Sequence, residues 1–369
     1  MCVQLKNRPL VFLLMLLIVF TNSLTAQNKD VFTPAYIKAT LLTVADWQMT
    51  HSNGKHAYDW TNGAFYTGVF AAYETTQSAV LMDSLMAMGE RTNWMPGHRY
   101  DNADDYAISQ TYIDLYRIRK DKKMIQPTLD SLQKLKQVPG VAIKNHGLTW
   151  WWCDALFMAP PVFAKLAKTL HDRSYQVLCD SLFFQTYQLL YNQEDHLFAR
   201  DANYLQNANG SGRKEANGKR LFWSRGNGWV MGGLVRLLQE MPKKYEGRKF
   251  YLRLYKEMAN SLLALQQPDG LWRTSLLDPA AYPGGEGSGT GFNCYALAWG
   301  VNHKILDRKI FLPAVKNAWI GLNSLLTKEG KVGWVQPIGA SSQRNFNAES
   351  WEAYGAGAFL LAGSEIIKL

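Results

Sequence analysis

The sequence predicts an all-α protein, an (α/α)6 barrel or six-hairpin toroid, and three observations predict it. Amphipathic helical spacing recurs six times along the chain. Six further segments, apolar nearly all round, alternate with the first set. No stretch shows sustained strand alternation bounded by hairpin turns, and no linker divides the chain.

The amphipathic set covers 35–50, 77–90, 122–136, 171–191, 247–267 and 309–327. Leu178, Leu182, Tyr187 and Leu190 illustrate its spacing of three and four. The second set opens at polar or Gly-rich loops: Trp60–Gly68, Asp104–Tyr112, Trp152–Met158, Gly226–Gly233, Gly289–Tyr295 and Glu352–Ala358. Few charges follow the first turn of any of these, and a helix apolar on all sides is a buried one. Their small residues allow close approach. Six buried helices ringed by six amphipathic ones make a closed barrel. An open solenoid or two bundles are the alternatives, and the regular alternation favours closure. The repeat is structural, without strong identity between units. Short strands are expected only near Leu197–Tyr204 and Val332–Ile338.

The chain has 369 residues, 47% hydrophobic, 13% aromatic and 19% charged, which describes a globular protein with ample core. Residues 1–26 read as a signal peptide: Lys6 and Arg8, an apolar run Leu10–Phe20, then Thr21 to Ala26 turning polar and small. A run of about 11 apolar residues is too short to span a bilayer. This leaves 27–369 as one catalytic domain, exported and with no membrane association after cleavage. Without Cys2, the cysteines are Cys153, Cys179 and Cys294. An odd set lacking CxxC argues against disulfides and zinc, and reads as small buried hydrophobes. Net charge is +10, of which Lys6 and Arg8 belong to the leader. The remaining cations are scattered. Lys120–Lys123 and Lys243–Arg248 read as solvated faces, so a nucleic-acid partner is excluded and an anionic small substrate is favoured.

In such a barrel the N-termini of the inner helices share one mouth. Asn62, Asp104, Asp105, Asp154, Arg225, Asn227, Ser288, Thr290 and Glu352 should converge there, among 13 tryptophans. Carboxylates on the floor and indole walls suit a sugar. Trp150-Trp-Trp152-Cys-Asp154 is the most informative segment. A helix dipole alone would make Asp154 a poor acid, whereas indole desolvation and a like charge would raise its pKa. Asp104 and Asp105 supply that charge from the adjacent helix, about 8–10 Å away. A raised Asp154 beside an ionised Asp104 is an acid/base arrangement, and one of Asp104 and Asp105 is only a cap. In Trp223-Ser-Arg225-Gly-Asn-Gly-Trp229, glycines admit a ligand to the backbone and Arg225 offers a planar fork. The alternative is a structural turn that uses the arginine internally.

These residues carry a resemblance. Asp59-Trp-Thr-Asn-Gly63, Trp152-Cys-Asp-Ala-Leu-Phe-Met158, Trp223-Ser-Arg-Gly-Asn-Gly-Trp229, Gly287-Ser-Gly-Thr290 and Tyr354-Gly-Ala-Gly-Ala-Phe-Leu-Leu-Ala-Gly363 stand in order over almost the whole mature chain. Together they resemble the unsaturated rhamnogalacturonyl hydrolases of glycoside hydrolase family 105, relatives of the unsaturated glucuronyl hydrolases of family 88. The resemblance implies the same barrel, no metal and no cofactor. It implies a lyase-generated oligosaccharide ending in a uronic acid with a C4=C5 double bond, with unsaturated galacturonyl-rhamnose as the first choice. By resemblance, Asp154 is the general acid/base and Asp104 the second aspartate, with Asp105 its rival. Trp152, Trp223 and Arg225 are substrate contacts. Trp60, Asn62, Arg344 and His146 complete the candidate binding set. The family prototype's His-Gly-Trp-Asp element has no counterpart in Phe198–Tyr204, so that histidine contact is not transferred, and His196 reads as structural.

The implied substrate is a vinyl ether. Asp154 protonates C4, an oxocarbenium-like centre forms at C5, and the carboxylate then activates water to attack C5. The hemiketal opens and the glycosidic bond is lost, while Asp104 steadies the developing positive charge. Arg225 and Arg344 are the candidates for holding the substrate carboxylate. Three other readings compete: an ordinary glycosidase, a lyase using Tyr106 or His146 as base, and a non-catalytic glycan binder. Because lyase products are small, the periplasm is favoured over the exterior. Oligomeric state is not legible.

Overall fold

The computed structural model describes residues 31–137, 147–206 and 212–369. The leader at 1–26 and His146 lie outside them.

The outer layer consists of α1 (Pro34–Thr50), α3 (Ala79–Arg91), α5 (Gln126–Gln137), α8 (Arg173–Leu190), α10 (Arg248–Leu265) and α12 (Arg308–Ser324). The inner layer consists of α2 (Trp60–Thr76), α4 (Ser109–Arg119), the broken pair α6 (Ala155–Met158) and α7 (Pro160–Thr169), α9 (Ser224–Glu240), α11 (Gly287–Asn302) and α13 (Ala353–Ile366). The two layers alternate along the chain as their hydrophobic patterns require. Side-chain caps fix several starts: Thr33, Asp59, Asp172 and Asp307 accept the backbone N–H groups of Tyr36, Thr61, Ser174 and Lys309.

Inner neighbours pack in the order α2, α4, α6–α7, α9, α11, α13, and α13 returns to α2 to close the ring. Ser224–Leu238 of α9 and Gly287–Val301 of α11 are buried at every position, as their all-round apolar character predicts. Ring closure depends on glycine. A Cβ on Gly357 of α13 would stand 2.5 Å from the Ala64 carbonyl oxygen of α2, so no larger residue fits at this contact.

The end of the ring opposite the mouth is sealed by charge. Arg117 pairs with Glu240 at 2.8 Å, Lys165 pairs with Asp114, and Arg236 donates to Gln110 Oε1 at 2.5 Å. Three cations placed near inner-helix C-termini complement the helix dipoles there. The cationic surroundings hold the Glu240 carboxyl down at about 2 despite its burial.

Two inner helices are irregular where the sequence suggests continuous ones. A 3-10 turn, Ala103–Tyr106, precedes α4. The third inner helix runs one turn and breaks before Pro160, whose ring removes the N–H needed to continue it. Strand content is slight: β1 (Tyr191–Asn192) pairs antiparallel with β2 (Leu197–Phe198), and Leu326 bridges Val332. Cys153, Cys179 and Cys294 are buried free thiols.

Candidate active site

The two irregular inner helices are the two that carry the acid candidates. Asp154 occupies the N-cap position of α6, with φ −60° and ψ −30°, and is 8% exposed. Asp104 lies in the 3-10 turn before α4 and is partly open to the mouth. The two segments pack against each other, and each carboxylate lies in the other's field.

The Asp104 carboxyl is pushed up to about 7. Burial is the largest cause, followed by the negative charge of Asp154; Arg99 opposes the shift, Asp105 adds to it and Arg200 opposes it. The sequence reads Asp104 as the ionised partner of Asp154, whereas burial and the neighbouring charge raise the Asp104 carboxyl. The reason is local: among the described residues no side chain donates to the Asp104 carboxylate, and its neighbour takes the nearby arginine.

That neighbour is Asp105. Its Oδ2 accepts the Arg99 backbone N–H at 2.7 Å, and its Oδ1 accepts Arg99 Nε and Nη2 at 3.0 and 2.5 Å. A buried carboxylate holding a guanidinium in this way fixes the 97–105 loop, and it is not offered to a ligand.

Trp152 bridges Asp201, and the Cys153 N–H donates to Arg200 O at 2.8 Å. Asn227 secures the same stretch to α9, accepting from Phe198 N at 2.8 Å and donating to Phe198 O at 3.1 Å. These bonds deliver Arg200 to the dyad. Its Nε lies 3.6 Å from Asp154 Oδ2, its Nη1 lies 2.6 Å from Asp201 Oδ2, and its guanidinium sits 5.4 Å from the Trp151 ring centre. Arg200 is absent from the sequence-derived candidates. The signal was its place in Phe198–Tyr204, a stretch noted only for the histidine it lacks.

Arg225 departs from its predicted role. It is 1% exposed, donates to the carbonyl oxygens of Gln336 and Pro337 at 2.5 and 3.0 Å, and lies 4.3 Å from the Trp223 and 4.8 Å from the Tyr354 ring centre. Trp223 is buried too, its Nε1 donating to Gln336 Oε1 at 3.1 Å. Both residues moor the 336–337 loop to the barrel, the internal alternative named above. Ser288 donates to Glu286, and Thr290 Oγ1 accepts from Trp272 N. Arg344 is exposed over Tyr282 at 4.8 Å, in the field of Glu215. Arg225→Leu is therefore expected to lower unfolding free energy by about 2–4 kcal/mol, since two buried acceptors lose their donor. Urea denaturation measures it; a loss below about 1 kcal/mol with a raised KM would restore the ligand-contact role.

Toward α2, Trp60 stacks on Tyr354 at 5.3 Å and 15°. Asn62 donates to His56 O at 2.8 Å and accepts from Asn53 at 3.1 Å, beside a 280 Å³ cleft reaching Lys55 and Arg91. Glu352, at the N-cap of α13, has its carboxyl raised by burial. Tyr354, also missing from the sequence-derived candidates, lies in the field of Asp154 and donates to Gln336 O at 2.6 Å. Tyr106, the possible lyase base, donates to Tyr100 O at 2.6 Å and meets Ser131 of α5 at 3.0 Å, so its hydroxyl faces the outer layer. His196 bonds Tyr191 at 2.9 Å, on the β1–β2 hairpin.

Comparison with known proteins bears on the chemistry of this mouth. The model of Glycosyl Hydrolase Family 88 matches residues 37–369. An "Unsaturated 3S-rhamnoglycuronyl hydrolase" of Formosa agariphila is 42% identical over 99% of both chains. A protein of the same description from Alteromonas sp. (strain LOR) is 33% identical over 86% of this chain and 79% of that one. A solved structure described as a polysaccharide lyase superposes with a TM-score of 0.82 at 32% identity, covering 90% of this chain and 97% of that one.

Proposed function

The chain belongs to Glycosyl Hydrolase Family 88, and on that premise we propose that Asp154 and Asp104 hydrolyse an unsaturated uronic acid from rhamnose bearing a 3-sulfate. Hydrolysis of unsaturated uronyl glycosides is the activity of the class. The finer assignment of the aglycone rests on the shared description of two curated relatives. The observation that carries the chemistry is the coupled carboxyl pair, with one member raised to about 7. Such a pair retains a proton near neutrality, when a vinyl ether must be protonated at carbon.

Asp154 delivers that proton to C4 and then takes one from the water attacking C5. Asp104 keeps the proton within the pair and, once ionised, stabilises the oxocarbenium-like charge. Arg200, in contact with Asp154, is placed to hold the substrate carboxylate and to orient the acid. Galacturonyl and glucuronyl parents differ at C4, which is flattened in the unsaturated sugar, so specificity rests on the linkage and the next sugar. The leader assigned to 1–26 adds an exported location, with the periplasm as the site of action.

The test is a substrate panel of unsaturated disaccharides differing in the second sugar. The highest kcat/KM is expected with rhamnose 3-sulfate, and equal or better turnover of glycosaminoglycan-type disaccharides would refute the rhamnose assignment. A lyase reading draws on the solved structure so described. It is disfavoured here because Tyr106 is turned away from the mouth.

A further inference from the structure

A cleft of about 450 Å³ opens beside the dyad, walled by Trp151, Arg200, Asp201, Tyr204, Arg213 and Ala340. Arg200 is shared between this cleft and Asp154, so the cleft adjoins the dyad. Its volume lies within the range of small-ligand sites and accommodates one further sugar ring.

The charges in the cleft are not equivalent. Arg200 is committed to two carboxylates, Asp154 and Asp201. Arg213, which also lines the cleft, is exposed and lies over Tyr204, 5.0 Å from the ring centre. Among the described residues no carboxylate pairs with it. The cleft therefore holds one arginine that pairs with carboxylates of the site and one, Arg213, that has no carboxylate partner among the described residues. Tyr204 covers one face of the Arg213 guanidinium without neutralising it, which leaves the N–H groups along its edge for an anion.

We infer that this cleft is the subsite for the sugar next to the unsaturated uronate, and that Arg213 binds the sulfate ester on that sugar. The inference rests on the hydrolase reading above and adds to it the residue that selects a sulfated substrate. A sulfate carries a permanent charge with several acceptor oxygens, and a guanidinium can meet two of them at once. The contact is remote from C4 and C5 and forms equally in ground and transition states. It should therefore act on KM more than on kcat.

The test compares two synthetic disaccharides, unsaturated uronyl-rhamnose with and without the 3-sulfate, on wild type, Arg213→Gln and Arg213→Lys. The wild-type enzyme is expected to prefer the sulfated compound. Arg213→Gln should reduce the sulfated-to-unsulfated ratio of kcat/KM by about 10–100-fold, chiefly through KM, with Arg213→Lys intermediate. Matching circular dichroism and Tm would show that the fold is intact. A wild type indifferent to sulfate, or an Arg213→Gln enzyme with the wild-type ratio, would overturn the subsite while leaving the hydrolase reading in place. A wild type that turns over neither compound would remove that reading and the subsite with it.

Discussion

Asp154→Asn is expected to lower kcat by at least about 10³-fold, while Tm stays close to wild type. Removing the group that moves the proton costs the full acid and base contributions, each worth about 10²–10⁴-fold, and a single carboxyl supplies both in succession. The fold should tolerate the change. Asp154 stands at an N-cap without a capping hydrogen bond, and its neighbours Arg200 and Cys153 lie at 3.6 and 3.5 Å. Substrate should still bind, so single-turnover and equilibrium binding measurements separate lost chemistry from lost affinity. An Asp154→Asn enzyme retaining a tenth of wild-type kcat would remove Asp154 from the centre of the mechanism. The variant also removes the charge that raises Asp104, so Asp104 should ionise at lower pH than in wild type.

The second large effect is Asp104→Asn, which should lose activity and gain stability together. In wild type, kcat is expected to fall as pH rises through about 7, where the pair loses its proton. The stability effect has a definite sign. Asp104 has a folded pKa of about 7, against 3.8 for an ordinary aspartate. Between these values the folded chain holds a proton that the unfolded chain has released, so rising pH destabilises the fold across this window. Asparagine cannot ionise and escapes the penalty. The Tm advantage of Asp104→Asn over wild type should grow from near zero at pH 4 to about 2–4 °C above pH 7. Activity should drop about 10²-fold or more. A Tm difference independent of pH would show that Asp104 is not held in its protonated form by the fold. The opposition is physical: the burial and like charge that make the carboxyl useful are what destabilise it.

The architecture was legible because an apolar-all-round helix next to an amphipathic one leaves few arrangements. Six such pairs could be read from spacing alone, and α2, α9, α11 and α13 begin within two residues of the predicted segments. The breaks in the acid-bearing helices were less visible. Pro160-Pro161 announces one of them, but the 3-10 turn at Ala103–Tyr106 depends on how Asp105 and Arg99 join, which spacing does not show. The same pairing occupies Asp105 and leaves Asp104 in the field of Asp154.

Misreadings at the site share one cause. Arg225 and Arg200 have the same chemistry, and the glycine-rich context of Arg225 drew attention to it. What separates them is tertiary: Arg225 finds the carbonyls of a loop more than 100 residues away, while Arg200 is carried to Asp154 by the bridge from Trp152 to Asp201. Asn227, Ser288 and Thr290 were similarly placed at the correct helix ends, and they are occupied in holding those ends together.

Loss of the C4=C5 double bond separates the proposed reaction from ordinary glycoside hydrolysis. The most direct measurement follows the ultraviolet absorbance of the conjugated unsaturated uronate, with an unsaturated uronyl-rhamnose disaccharide and, separately, the intact polysaccharide. Absorbance is expected to disappear from the disaccharide with release of free rhamnose or its sulfate, while the intact polymer is unchanged. Absorbance rising on the polymer would mark a lyase, and rhamnose release with absorbance retained would mark an ordinary glycosidase; either would refute hydration of the double bond.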